Sequence, residues 1–384
     1  VSAPRVGFDL RPALLSRTGI GRVARELWRA LSRRDDLVLR PFAAMAARPR
    51  AGLALPGVRA PWLPARLQRA LAPLGWSART LLGPLDAYQH TDLVYAPTGR
   101  VPTALIVHDL CFLRGQGWHA PRFARSVGPR LRAAAAAAGA VIVPCERVAR
   151  DVQAAGLAPQ ARVHVVPWGA DHVDPAPRPD DAARLAALRR AAGLPAEGPL
   201  VLLPGTREPR KNQQVALGAV LRARGAARGA PAVALLAGPR GWGVPGLEAW
   251  LLDPQLRGAA GATGELDEAD LAALLRGADL VLYASFEEGF GLPVAEALRC
   301  GRAVVTARDT SMSDLFGRAL VAVDPRDPQA LEGAVAALLA DPSARAALGA
   351  AGAAAAAPFT WGLAAERLAS IYHGLAACVD SPAP

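Results

Sequence analysis

The chain has 384 residues, 52% of them hydrophobic, and a formal net charge of +11. That length excludes a single small module and predicts two domains, each with a sizeable core. Aromatics make up only 5% and no stacking or groove-reading motif accompanies the charge, so no nucleic-acid partner is expected. In chain order, strands are expected at Val6–Asp9, Leu37–Pro41, Leu93–Ala96, Ala104–His108, Ala140–Pro144 and Val163–Pro167. A helix is expected from Gly21 to Leu31, with Val23, Leu27, Ala30 and Leu31 on one stripe. A Pro-rich polar stretch from Asp174 to Asp180 reads as a linker, and a helix from Asp181 to Ala192 follows it. Further strands are expected at Leu200–Pro204, Ala232–Ala237, Leu280–Ala284, Ala303–Thr306 and Leu320–Val323. Helices are expected at Glu268–Arg276 and Pro293–Arg299, and a last one from Phe359 to Ala377 with Leu363, Arg367, Ser370 and Ile371 near one face. Short strands alternating with helices predict an α/β chain of two doubly wound parallel sheets, whose ligands bind beyond the carboxyl ends of the strands.

The charge divides along the same line. Residues 1–173 carry 24 arginines against 10 acidic residues, a net +14, while residues 174–384 carry a net −3. The basic half predicts an anionic partner, either a phosphate-bearing acceptor or anionic lipid head groups; the alternative is arginine filling a solvated surface. Residues 61–82 add Trp62, Trp76 and several leucines among three arginines, and prolines 61, 64 and 73 break the stretch into short amphipathic pieces. Such pieces lie on a membrane surface or pack on their own domain. No run of about 20 strongly apolar residues is read as a membrane span. Cys111, Cys145, Cys300 and Cys378 are scattered, and Val6–Asp9 stands where a leader would lie, so a reduced, cytoplasmic chain is expected.

Two segments carry the chemistry. The only lysine and the only asparagine are neighbours, Lys211 and Asn212, in a chain whose other 43 basic residues are arginine. A compact ammonium retained amid so much arginine points to a task that a planar guanidinium performs badly. The pair ends Gly205-Thr206-Arg207-Glu208-Pro209-Arg210-Lys211-Asn212, after the apolar run Leu200–Leu203. A strand, a glycine turn, two cations and a helix start form a phosphate-binding arrangement, with Asn212 as the helix cap. The second segment runs from Ser285 to Ala297 as Ser-Phe-Glu-Glu-Gly-Phe-Gly-Leu-Pro-Val-Ala-Glu-Ala. With Pro293 at the first helical position, Glu288 lies in the strand-to-helix loop and Glu296 about one turn into the helix. Carboxylates accept from paired sugar hydroxyls, and N–H groups at a helix start suit a phosphate, so this unit outlines a nucleotide-sugar pocket.

Glu288 and Glu296 resemble the Glu-x7-Glu signature of retaining glycosyltransferases of the GT-B fold, family 4, and its Glu-Gly-Phe-Gly-Leu-Pro core stands at 288–293. Gly205 to Asn212, Ala237 to Trp242, Gly264 to Asp279, Val323 to Pro325, Phe8 to Pro12, Thr18 to Arg22, Val107 to Leu110 and Val166 to Asp171 also resemble that family. The resemblance implies two Rossmann-like domains, 1–173 for the acceptor and 174–358 for the nucleotide sugar, with a helix from 359 onward returning to the first. It implies that Arg210 and Lys211 hold the donor diphosphate and stabilise its departure without a metal or cofactor. Lys211 would then have the ligand as its partner and be dispensable to the fold. Glu296 would take the ribose and Glu288 the donor sugar, with Gly289, Phe290, Gly291 and Leu292 lining the turn. Gly19, Gly21 and Gly205 would admit the phosphates closely, Gly264 and Leu266 would border the base, and His108 would sit near the anomeric carbon. Cys145 and Trp168 depart from the usual pattern, and no nucleophile presents itself beyond Asp109. The implied reaction moves a hexose, mannose favoured, from a nucleotide sugar to a saccharide or lipid-linked acceptor in surface polysaccharide or glycolipid synthesis. GDP-mannose is the preferred donor, with UDP- or dTDP-sugars as others, at the inner face of the plasma membrane. The rival readings are an epimerase or phosphorylase of the same fold, or a basic membrane- or nucleic-acid-binding protein with an inactive site.

Overall fold

The computed structural model describes residues 3–43, 53, 55, 57–58, 65–93, 95–114, 117–119 and 121–380. The chain divides into two compact units, residues 1–169 with 360–384, and residues 170–359. The first and last residues of the second unit are joined, the Ala170 N–H donating to the Phe359 carbonyl at 2.9 Å. The Pro-rich stretch after Asp174 belongs to the second unit, where Arg276 donates to the Asp174 carbonyl at 2.9 Å and ion-pairs Asp181 at 2.5 Å.

The first unit is a parallel sheet of β1 (Arg5–Asp9), β2 (Val38–Phe42), β3 (Ala87–His90), β4 (Thr103–Ile106), β5 (Ala140–Val143) and β6 (Val163–Val165). The spatial order is β2-β1-β3-β4-β5-β6, so the chain reverses direction across the sheet between β1 and β3. The helix Gly19–Leu31 buries Val23, Leu27 and Leu31 at the expected spacing.

β3 departs from expectation. The strand lies at Ala87–His90, while Leu93, Tyr95 and Ala96 form no strand and Val94 lies outside the described residues. The run Ala-Tyr-Gln-His reads as polar, but Gln89 is fully buried and its amide donates to the His90 and Ala104 carbonyls at 2.7 and 3.2 Å. Internal hydrogen bonds let a polar residue occupy a central strand, which a hydropathy pattern does not register.

Of the 61–82 stretch, residues 61–64 lie outside the described residues. The remainder forms the helices Ala65–Leu71 and Arg79–Leu82 with a 3₁₀ turn, Ala72–Leu74, between them. Leu67, Leu74 and Leu81 are exposed, whereas Trp76 and Leu82 pack against Phe42, Leu85 and Tyr88. The stretch thus divides its apolar residues between its own domain and solvent.

The last helix, Trp361–Asp380, belongs to the first unit. It packs along Gly19–Leu31 and buries Trp361, Ala364, Leu368, Tyr372 and Leu375. Leu363, Arg367 and Ser370 lie on its exposed side, and Ile371 is half-buried, so the stripe read from the sequence is the outer one. By length and a mean hydropathy of 1.2, Pro342–Cys378 also passes as a membrane span, which the sequence reading did not flag. It is two helices, Pro342–Ala356 packed on the second unit's sheet and Trp361–Asp380 on the first unit.

The second unit is a parallel sheet of β7 (Leu200–Pro204), β8 (Val233–Ala237), β9 (Ala260–Ala262), β10 (Leu280–Tyr283), β11 (Ala303–Ala307) and β12 (Val321–Val323). Its order is β12-β11-β10-β7-β8-β9. The chain travels outward from β7 through β8 to β9, returns to β10 at the centre, and continues the other way. β9 is absent from the sequence reading because Ala-Gly-Ala has no strand signature; a Cβ on Gly261 would lie 2.2 Å from the Ala192 carbonyl oxygen, so closeness of backbones sets that residue. β7 and β10 are buried along their whole length, and Val201, Leu203 and Leu282 pack with Leu217, Val220, Leu331 and Val335.

Within the first unit, the buried Tyr372 hydroxyl donates to Gln89 Oε1 at 2.8 Å and fastens the last helix to β3. Tyr372→Phe leaves that oxygen buried and unpaired and should lower stability by about 1–3 kcal/mol in denaturant unfolding. An unchanged unfolding midpoint would show that the fastening contributes nothing.

Candidate active site

The strand-order reversal of the second unit lies between β7 and β10, and both chemistry-bearing segments leave the sheet there. Residues 205–212 follow β7 and residues 284–291 follow β10. Beyond the carboxyl ends of such a pair an open α/β sheet forms its crevice. The two loops are sewn together: the Phe286 N–H donates to the Arg210 carbonyl at 2.9 Å, and Arg210 Nη1 donates to the Glu287 carbonyl at 2.5 Å.

At the centre stands one oxygen of Glu288. Its Oε1 lies 2.6 Å from Lys211 Nζ, 2.8 Å from Arg210 Nη1, 2.6 Å from Ser285 Oγ and 3.0 Å from the Tyr283 hydroxyl. Burial by itself would raise this carboxyl, but the charges of Arg210 and Lys211 outweigh it and hold Glu288 at about 2. The two cations brought together by the sequence therefore already have a protein partner. The expectation that Lys211 serves only a ligand is corrected: Lys211 also compensates a buried carboxylate, and Lys211→Ala should cost stability as well as binding. Arg210 is further held by Glu208 at 2.8 Å.

Asn212 also has a structural assignment. Its φ of 54° lies in the left-handed region, which asparagine tolerates, and its side chain makes no cap. Instead its amide donates to the Pro325 carbonyl at 2.7 Å, tying this loop to the turn after β12. The retained asparagine answers to backbone conformation and a single donor.

Glu296 lies in the helix Leu292–Arg299, which begins one residue before Pro293 rather than at it. Its Oε1 is 2.9 Å from His172 Nε2, with both side chains buried. Glu288 and Glu296 thus flank the turn Gly289-Phe290-Gly291 as expected. Gly291 has φ 82°, and a Cβ there would lie 2.3 Å from Met312 Cγ, so both backbone and packing demand glycine. Among the described residues no hydrogen bond takes up the N–H groups of Phe290 and Gly291. Gly289, Phe290 and Leu292 are buried. Gly205 has φ 114° and its own N–H donates to the Ala237 carbonyl at 2.8 Å, so this N–H is occupied by β8. Gly264 is exposed and Leu266 half-buried in the loop after β9.

Four residues of this region were missed by sequence reasoning: Tyr283, Ser285, His172 and Arg207. The buried Arg207 ion-pairs Glu248 at 2.7 Å and donates to the carbonyls of Gly238 and Thr263, both at 3.1 Å, joining the loops after β7, β8 and β9. A polar side chain at the last residue of a strand, as at Tyr283, was the available signal.

The remaining predicted residues belong to the first unit. His108 follows β4; its Nε2 donates to the Thr91 carbonyl at 2.9 Å, and burial lowers its pKa, so a neutral ring is favoured. Asp109 accepts from the Cys111 N–H at 3.1 Å. Gly19 has open space where a Cβ would stand, while a Cβ on Gly21 would lie 2.0 Å from the Ser16 carbonyl oxygen. Gly21 is therefore required by the chain's own close approach, which is sufficient reason for a glycine there. Asp9, at the end of β1, is buried and its carboxyl is pushed up to about 6 by that burial.

Residues 17–173 match the model described as Glycosyltransferase Family 4, and residues 186–355 match that of Glycosyl transferases group 1. Over 251 residues the chain is 34% identical to the D-inositol 3-phosphate glycosyltransferase of Xylanimonas cellulosilytica, covering 62% of this chain and 57% of that one. It is 35% identical over 127 residues to the O-antigen chain mannosyltransferase B of Escherichia coli, 33% of each chain. The chain spans about half the length of the curated relatives it matches. Among solved structures, HepE of Anabaena in complex with UDP and glucose superposes at a TM-score of 0.72 and 17% identity, over 97% of this chain and 100% of that one. Sucrose-phosphate synthase from Thermosynechococcus elongatus gives 0.77 at 20% identity, over 98% and 100%. Two reversing parallel sheets with these neighbours define the GT-B fold. With both halves matched in sequence, the chain belongs to the family 4 type of glycosyltransferase.

Glu288 is held below its ordinary 4.5, so its ionised form stabilises the fold fully above that pH and ceases to do so as the pH falls toward about 2. Glu288→Gln should therefore flatten the fall in stability across that window, read by urea unfolding at each pH. The same slope in both proteins would show that the two cations do not hold the carboxylate.

Proposed function

We propose that the chain is a retaining hexosyltransferase acting on a nucleotide-diphosphate sugar. The observation that carries this reading is the pairing of Arg210 and Lys211 with Glu288 at the strand reversal between β7 and β10. The two cations bind the donor diphosphate and stabilise the charge that grows on it as the glycosidic bond breaks. Glu288 accepts from a hydroxyl of the donor sugar, and Glu296, set by His172, accepts from the ribose. The N–H groups of Phe290 and Gly291 face the phosphate-bearing part, and Gly205, Gly264 and Leu266 border the donor. In the first unit, His108 offers a neutral hydrogen-bonding group.

The acceptor hydroxyl attacks the anomeric carbon on the face from which the nucleoside diphosphate leaves. The new C–O bond forms as the C–O bond to phosphate breaks, and the departing phosphate oxygen takes the acceptor's proton. Configuration is retained without a protein nucleophile, metal or cofactor. UDP and UDP-glucose in the Anabaena neighbour support a nucleotide-sugar donor, and the mannosyltransferase relative supports mannose as the first sugar to test. GDP-mannose leads the donors, followed by UDP- and dTDP-sugars. A saccharide or lipid-linked acceptor suits the basic first half, which would also meet anionic lipid at the cytoplasmic face of the membrane.

The test is transfer and hydrolysis across GDP-, UDP- and dTDP-sugars, with the two glutamates varied. The ribose does not react, so Glu296→Gln should chiefly raise the donor KM. The sugar gains positive charge in the transition state, so Glu288→Gln should chiefly lower kcat. Activity unaffected by either substitution, or no turnover of any nucleotide sugar, would sink the proposal.

A further inference from the structure

Lys211 is held from two sides. Its Nζ lies 2.6 Å from Glu288 Oε1 and 2.5 Å from the Tyr283 hydroxyl, and 4.9 Å above the centre of the Tyr283 ring. Its stem runs between Tyr283 and Gly205, where a Cβ would stand 3.7 Å from Lys211 Cε and 3.8 Å from Tyr283 Cε2. A phenol has one proton, and here it points to Glu288 Oε1 at 3.0 Å, so toward the ammonium the hydroxyl can only accept. Tyr283 is the last residue of β10 and 3% exposed, a rigid and dry mount. Burial and the nearby Glu288 raise the phenol's pKa well above its ordinary value, so it keeps the proton this arrangement needs.

An ammonium has three protons. Glu288 and Tyr283 fix two of the three N–H directions, and the third is the one left for a ligand. We infer that Tyr283 is a positioning residue: its hydroxyl fixes the direction of the Lys211 ammonium and so acts on the donor's diphosphate only through Lys211. The inference rests on the donor site proposed above. Without the hydroxyl, the ammonium pivots about Glu288 alone, and its third proton is no longer aimed. This also gives a physical reason for lysine at 211, because a guanidinium fork cannot seat three tetrahedral donors on a carboxylate, a phenol and a phosphate.

Two readouts test this. The first is calorimetric binding of UDP and GDP to the full chain, to Tyr283→Phe, to Lys211→Gln and to the double variant. Tyr283→Phe should weaken binding about ten-fold in the native background, the scale of one hydrogen bond to a charged group. In the Lys211→Gln background it should change binding by less than about two-fold, since coupled residues are not additive. Equal losses in both backgrounds, or no loss in either, would overturn the role of Tyr283. Should Lys211→Gln not fold, Lys211→Met replaces it.

The second readout uses the single lysine: ¹⁵N at lysine Nζ reports on Lys211 alone. UDP or GDP should shift that signal in the native protein, and Tyr283→Phe should shift it and speed its proton exchange with water before any nucleotide is added. An unmoved signal in Tyr283→Phe would overturn the inference even if no Lys211 variant folds. If neither nucleotide binds the native protein, the donor site itself is wrong, and the inference falls with it.

Discussion

One carboxylate oxygen, Glu288 Oε1, organises the candidate site. Four donors converge on it from two loops: Lys211 and Arg210 after β7, and Tyr283 and Ser285 at the end of β10. Neither cation is comfortable alone in so buried a place, and neither is the carboxylate, so each makes the other tolerable. The sheet sets this up by placing its first and fourth strands side by side. On the function proposed above, a diphosphate would meet two cations that are already oriented and partly neutralised, would compete with Glu288 for them, and would leave Glu288 more available to the sugar. Preorganised charge of this kind requires little rearrangement at the moment of reaction.

The same economy of parts extends outward. His172 sets Glu296, Arg207 joins three loops, and Asn212 ties the β7 loop to the turn after β12. None of these side chains is expected to touch the reacting atoms. They hold the loops that carry the candidate residues, through backbone carbonyls, the ion pair of Arg207 with Glu248 and one left-handed residue.

Much of this was legible in the sequence. The alternation of apolar runs with helical stripes gave both parallel sheets, because buried strands such as Leu200–Pro204 are apolar throughout. Lys211, Arg210, Glu288 and Glu296 were legible from residue type and spacing, and the structure brings the first three together. What was not legible follows a pattern. β3 was hidden because Gln89 and Tyr372 satisfy each other out of sight, and β9 because small residues answer to neighbouring backbone rather than to burial. Glycine at 21 has a reason the sequence does not display, the close carbonyl of Ser16 in its own chain. The ion pair between Lys211 and Glu288 spans 77 positions, and only the adjacency of β7 and β10 reveals it.

On the proposed function, the cation pair on Glu288 receives a nucleoside diphosphate. A crystal structure of the protein grown with UDP or GDP tests it most directly. Phosphate oxygens should lie within hydrogen-bond distance of Lys211 Nζ and the Arg210 guanidinium, with the ribose hydroxyls at Glu296. A diphosphate seated away from both cations, with the Glu288 cluster undisturbed, would contradict it.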